Sequence, residues 1–221
     1  MKSLTIRLAA FAFFTVAICS SAFAHDYWNQ WTGHLWNRGD PGSTTQAWEF
    51  NLGAGPNPTT SNNPYGIPFV TVQGNYVGGV PGPNGTPINV WQIGTPDATG
   101  QLGPGEVQIG VPNAFAHNPT KYVFLQITTD NPGQVVSVSP TPSSQSTPMN
   151  FITYPNTKWV TYNVLWEIHP NPDFELIKLL FPVGTHIEEI VVDTICVPEP
   201  NSVASLGTGL IGLVALLRRR K

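Results

Sequence analysis

The clearest pattern in the chain lies between residues 159 and 168, where Val160, Tyr162, Val164, Trp166 and Ile168 alternate with Thr161, Asn163 and Glu167. A side-chain period of two belongs to a β-strand with one apolar face. Val123, Leu125 and Ile127 repeat the pattern over residues 121–128. Shorter runs rich in β-branched and aromatic residues predict strands at 45–52, 69–73, 75–77, 88–93, 106–111, 134–139, 149–154, 173–181 and 187–194. Residues 176–181 are also readable as helix, because a short continuous apolar run has no decisive period. Between these runs, residues 53–68, 78–87 and 140–148 are mostly Pro, Gly, Asn, Ser and Thr, with Pro83-Asn84-Gly85 as a turn. No segment repeats at a fixed period. About ten short strands without an amphipathic helix predict an all-β fold: an antiparallel β-sandwich, jelly-roll-like, with long Pro/Gly/Asn loops.

Both ends of the chain break this pattern. Lys2 and Arg7 precede an apolar stretch at 8–18, and Ala22-Phe23-Ala24 supplies the small-x-small site of signal peptidase, so residues 1–24 predict a signal helix and His25 the mature N-terminus. Ile18 ahead of Cys19 is too large for lipoprotein cleavage. At the other end, Val197-Pro198-Glu199-Pro200 is held extended by its prolines, which fix φ and remove two donors. Residues 203–217 carry no charge and predict a hydrophobic helix of about 22 Å, short against a hydrocarbon core of about 30 Å. Arg218, Arg219, Arg220 and Lys221 then act as a stop-transfer cluster on the cytoplasmic side of the inner membrane.

Pro-Glu-Pro, an apolar helix and a terminal arginine cluster, in that order, resemble the PEP-CTERM sorting signal, also known as the C-terminal domain of ice-binding-type proteins. The resemblance covers residues 197–221 and carries no implication of ice binding. It implies recognition by an exosortase-type transpeptidase, transient inner-membrane anchoring and release to the cell surface or extracellular space among exopolysaccharide. The chain thus divides into residues 1–24, 25–196 and 197–221. The middle part is similar to uncharacterised exported proteins with the same tail, through Trp36-Asn37-Arg38-Gly39-Asp40-Pro41-Gly42, Trp48-Glu49-Phe50, Asn63-Pro64-Tyr65-Gly66, Asn171-Pro172-Asp173-Phe174-Glu175 and Val192-Asp193-Thr194-Ile195-Cys196. That likeness implies no activity.

Charge changes the picture once the ends are removed. The whole chain has a formal charge of −3, but residues 25–196 hold four cations against twelve carboxylates, a net of −8. Such a surface is unsuited to nucleic acid. Cys196 is the one cysteine in this part, so no disulfide staples it, and it leaves a free thiol, an intermolecular bond or removal on processing all open. Some 170 residues suffice for one core without staples.

Candidate chemistry is sparse. His25, as a mature N-terminus, offers an α-amine and an imidazole to copper, with His34, His117, His169 or His186 as the further ligand. This arrangement resembles the histidine brace of lytic polysaccharide monooxygenases and implies a secreted polysaccharide-active enzyme as the alternative to a non-enzymatic surface protein. Trp28, Trp31, Trp36, Trp48 and Trp91 have flat faces suited to sugar rings, or to core and sheet-edge burial. Arg38-Gly39-Asp40 spells an adhesive tripeptide but sits in a Gly/Pro turn, where Arg38 and Asp40 are placed to bridge locally. Asp40, Asp97, Asp130 and Asp193 are calcium candidates without calcium-loop spacing. Glu188-Glu189 and the Glu167, Asp173, Glu175 set are read as acidic residues on solvated strand faces rather than as a glycosidase pair. Nucleophile-elbow, phosphate-loop, dinucleotide and zinc patterns are not found.

Overall fold

The computed structural model describes Asp26, Trp28 and residues 31–94, 105–113 and 119–197, with only the backbone at Val135, Asn150 and Phe151. The expected signal and tail helices, with His25, His117 and Asp97, lie outside these residues. Among the described residues, no helix is long and apolar enough to cross a membrane.

Two antiparallel sheets face each other. The larger runs β10 (Met149–Thr153), β11 (Val160–Ile168), β7 (Thr120–Thr129), β13 (His186–Val197), β1 (Ser43–Glu49), β2 (Thr60–Asn62). The hairpin β4 (Gly74–Pro81) and β5 (Pro87–Ile93) joins it through the start of β13, and β9 (Ser144–Gln145) lies along β11. The smaller sheet runs β3 (Phe69–Val72), β6 (Gly105–Pro112), β12 (Phe174–Phe181), β8 (Gln134–Ser139). The predicted alternation decides the core: Val123, Leu125, Ile127, Tyr162, Val164, Trp166 and Ile168 from one sheet meet Val107, Ile109, Ile177, Leu179 and Phe181 from the other. Residues 174–181 are strand, because Glu175, Ile177, Leu179 and Phe181 all fall on the buried face.

Three departures from expectation share one cause. Thr60–Asn62 and Ser144–Gln145 form strands inside stretches that read as loop, and β4 runs on to Pro81. Their side chains show no apolar alternation; it is backbone pairing to β1, β11 and β5 that makes them strands. The second face of the large sheet is also covered. Trp28, Trp31 and Trp36 lie over Phe124, Tyr122, Leu165 and Ile195, so β1, β7 and β13 are buried on both faces. The solvated-face reading of the acidic residues is corrected at three of them: Glu188 and Glu189 of β13 are 2% and 1% exposed, and Glu175, 0% exposed, lies on the inward face of β12, whereas Glu167 is half-buried and Asp173 exposed.

β13 lies between β7 and β1 inside the large sheet and ends where the expected tail begins. Its last residue, Val197, pairs with Thr120, and the Cys196 amide donates to the Gly42 carbonyl at 3.2 Å. Gly42 sits at φ +84°, and a Cβ there would come within 3.1 Å of the Cys196 carbonyl oxygen, so a side chain is excluded on both counts. The Cys196 thiol is buried, accepts from Asn171 Nδ2 at 3.4 Å and is raised by burial above its ordinary pKa.

Candidate functional site

The first residue of β13 and the residue just after β7 meet at the opposite pole of the sandwich. His186 Nδ1 lies 2.7 Å from Asp130 Oδ2, and the His186 amide donates to Asp130 Oδ1 at 2.7 Å. Lys158 Nζ reaches the same Oδ2 at 2.7 Å from the turn between β10 and β11. That turn is shaped by Asn156 at φ 60°, a left-handed conformation asparagine tolerates, and by Thr157 donating its hydroxyl to the Tyr154 carbonyl. The other ring nitrogen, His186 Nε2, lies 3.3 Å from Gln92 Nε2.

These groups line a cavity of about 450 Å³, walled by the β4–β5 hairpin at Pro81, Gly82 and Gly85. Trp159 forms part of the lining and donates Nε1 to the Pro81 carbonyl at 2.9 Å. Under the hairpin, Val90, Tyr154 and Trp159 make a small core of their own, against which Val77, Val80 and Ile88 of the hairpin pack. The arrangement offers a cation, a carboxylate and an oriented imidazole over a partly apolar floor. That is a binding constellation with donors and acceptors of both signs.

Burial opposes the charge of Asp130, but the hydrogen bonds from His186 and Lys158 outweigh it and hold the carboxyl below its ordinary range. A depressed folded pKa contributes stability above the unfolded carboxylate value and loses it as pH falls through the folded one. Asp130→Asn is therefore expected to cost about 1–3 kcal/mol at neutral pH. Urea midpoints of variant and parent should converge in acid; a pH-independent gap would mean the carboxylate charge is not the cause.

The tryptophans take other places. Trp28 and Trp36 are 5% and 4% exposed, and Trp31 stacks on Phe124 at 4.2 Å with planes 6° apart. Their faces are used in covering the sheet, and they form no open row of rings. Trp48 is in the core with Nε1 on the Pro56 carbonyl. Trp91 is partly buried beside Phe50 and Tyr76 and lines a cavity of about 210 Å³ with Pro56 and Val70. Burial of aromatic area outweighs presentation here.

His34 packs against Trp28 and Trp31, His169 pairs with Glu167 at 2.7 Å, and His186 belongs to the polar cavity. Glu167 and His169 shift each other in opposite senses, the carboxyl down and the imidazole up, chiefly through their mutual hydrogen bond. The aspartates do not converge: Asp40 accepts from the Asn37 amide, Asp130 lies at the cavity and Asp193 on the covered face. Among the described residues, no three His, Cys, Asp or Glu side chains gather as a metal-holding group. The local Arg38–Asp40 bridge is replaced by a distant one, since Arg38 turns inward to Asp193 and Asp26. Asp193 is fully buried on the covered face, whereas half-buried Asp40 is taken up by the Asn37 amide.

The PEP-CTERM protein-sorting motif matches residues 197–221. Among curated proteins, none matches the chain. The motif marks an exported protein, transiently anchored in the membrane and processed by an exosortase-type system. Its first matched residue is the last residue of β13.

Proposed function

We propose that this exosortase-sorted chain is a non-enzymatic surface or matrix protein whose sandwich, of the jelly-roll kind, binds extracellular polysaccharide at the pole farthest from its sorting motif. The observation that carries this reading is the direction of β13. Eleven steps of about 3.3 Å place His186 roughly 35 Å from Val197 along one strand. The cavity around Asp130, Lys158 and His186 therefore lies at the end of β13 remote from the motif. A volume of about 450 Å³ suits one or two sugar rings, with Val80 and Pro81 for apolar contacts and the charged trio for hydroxyl or carboxylate groups.

Glycan-array binding by the mature exported protein tests this. Lys158→Ala, at an exposed side chain, is expected to weaken binding to the best polysaccharide about tenfold, the equivalent of one charge-assisted contact. Binding unchanged by this variant would move the ligand elsewhere, and an array without signal would end the carbohydrate reading.

A further inference from the structure

β7 and β12 each place a charged residue where their alternation calls for an apolar one. Lys121 shares the inward parity of Val123, Leu125 and Ile127, and Glu175 that of Ile177, Leu179 and Phe181. Both side chains are 0% exposed, and Lys121 Nζ lies 3.0 Å from Glu175 Oε2. The other carboxylate oxygen, Oε1, accepts from Asn113 Nδ2. Asn113, just beyond the end of β6, also donates Nδ2 to the Pro172 carbonyl at 2.7 Å, and its Oδ1 is buried with no donor among the described residues. A primary amine and a primary carboxamide are thus held on the two oxygens of a single buried carboxylate.

We propose that Lys121 and Asn113 condense into an intramolecular isopeptide bond, with Glu175 carrying the proton from the attacking nitrogen to the departing one. Lys121 Nζ, as free amine, attacks Asn113 Cγ, and the Cγ–Nζ bond forms as the carbonyl electron pair moves onto Oδ1. Glu175 takes a proton from Nζ at Oε2 and delivers one to Nδ2 beside Oε1. The Cγ–Nδ2 bond then breaks, its electron pair leaves with nitrogen as ammonia, and the carbonyl at Oδ1 re-forms. Starting from the ion pair, the products are a secondary amide, ammonia and a neutral Glu175 carboxyl. No oxidant, reductant or cofactor enters the balance.

Three features favour the step. The reacting groups are pre-positioned by strands of both sheets, which turns a slow bimolecular condensation into a local one. Burial draws Lys121 below its ordinary pKa, toward the nucleophilic amine, and pushes Glu175 above its own, toward the proton-carrying acid. Condensation also removes a buried pair of charges whose desolvation works against the folded state. The bond would tie the end of β6 in the smaller sheet to the start of β7 in the larger. That tie lies at the pole where β13 runs into the sorting motif.

The test is mass spectrometry of the purified exported protein after denaturation and trypsin digestion. The expected result is a fragment spanning residues 39–158, uncut at Lys121 because its amine is acylated, and lighter than its sequence by one ammonia. Glu175→Gln should restore both the full mass and cleavage at Lys121. If that variant does not fold, Asn113→Asp keeps the shape and should lose one water in place of ammonia, locating the bond at this side chain. Ordinary cleavage at Lys121 with full mass in the parent protein would overturn the proposal. So would an ammonia loss that persists in Asn113→Asp, since it would then arise elsewhere in the chain.

Discussion

Arg38→Met is expected to lower the free energy of unfolding by about 3–5 kcal/mol at neutral pH, the range for removing one partner of a buried ion pair. Arg38 Nε and Nη2 donate to the two oxygens of Asp193 at 2.7 and 2.6 Å, and Nη1 and Nη2 both reach Asp26. The guanidinium carbon also lies 4.9 Å from the centre of the Trp28 ring. Asp193 is fully buried and retains one other donor here, the Thr45 hydroxyl at 2.7 Å. Burial pushes its carboxyl up to about 6, with Arg38 and Thr45 pulling the other way. Burial likewise opposes the charge of Arg38, but the two carboxylates outweigh it and raise its pKa.

The pH dependence separates charge from packing in this variant. A carboxyl raised above its unfolded value makes its full contribution below about pH 4 and loses it as pH rises through about 6. Without Arg38, Asp193 holds its proton still more tightly, so the variant recovers more stability on acidification than the parent does. The deficit measured by urea denaturation should therefore shrink between pH 7 and about pH 4.5. A deficit equally large across that range would assign the loss to the Trp28 contact and remove the electrostatic explanation.

Phe124→Ala is expected to cost about 3–5 kcal/mol, the range for truncating a buried phenylalanine. Phe124 is 1% exposed, is stacked by Trp31 and meets Trp28 edge-on at 5.7 Å. Among the described residues, it is the one fully buried strand residue in the cluster formed with the tryptophan cover. Its loss should also loosen the cover, shifting tryptophan emission to the red and exposing the segment before Arg38 to protease while the sandwich remains folded. A stability loss with unchanged emission would mean that the tryptophans are held by Arg38 and Asp26 rather than by this ring.

Much of the sandwich was legible because alternation is a local property. Tyr162, Val164 and Trp166 declared one face of β11, as did Val123, Leu125 and Ile127 for β7, and both faces are core. The same parity held an unused signal at the isopeptide candidates: Lys121 and Glu175 stand at inward positions of their own strands. Asn113 had no such mark, since it follows β6 and enters only through the close approach of β12. Asp130 and His186 were visible as residue types, but their meeting across 56 positions depends on the end of β7 lying beside the start of β13.

What the sequence determined by itself is the set of features that need only neighbours along the chain: strands that alternate, turns built on Gly, Asn and Pro, and a C-terminal sorting motif. Only the tertiary structure decided which polar runs became edge strands, that both faces of β13 would be covered, and where the few charges would be spent. A strand's period states that its two faces differ. It does not state what packs on the second one, and the tryptophans were equally suited to a ligand or to Phe124. Pairings such as Arg38 with Asp193, 155 residues apart, follow from sheet order. Sheet order is set by the packing of all thirteen described strands together, which no local pattern contains.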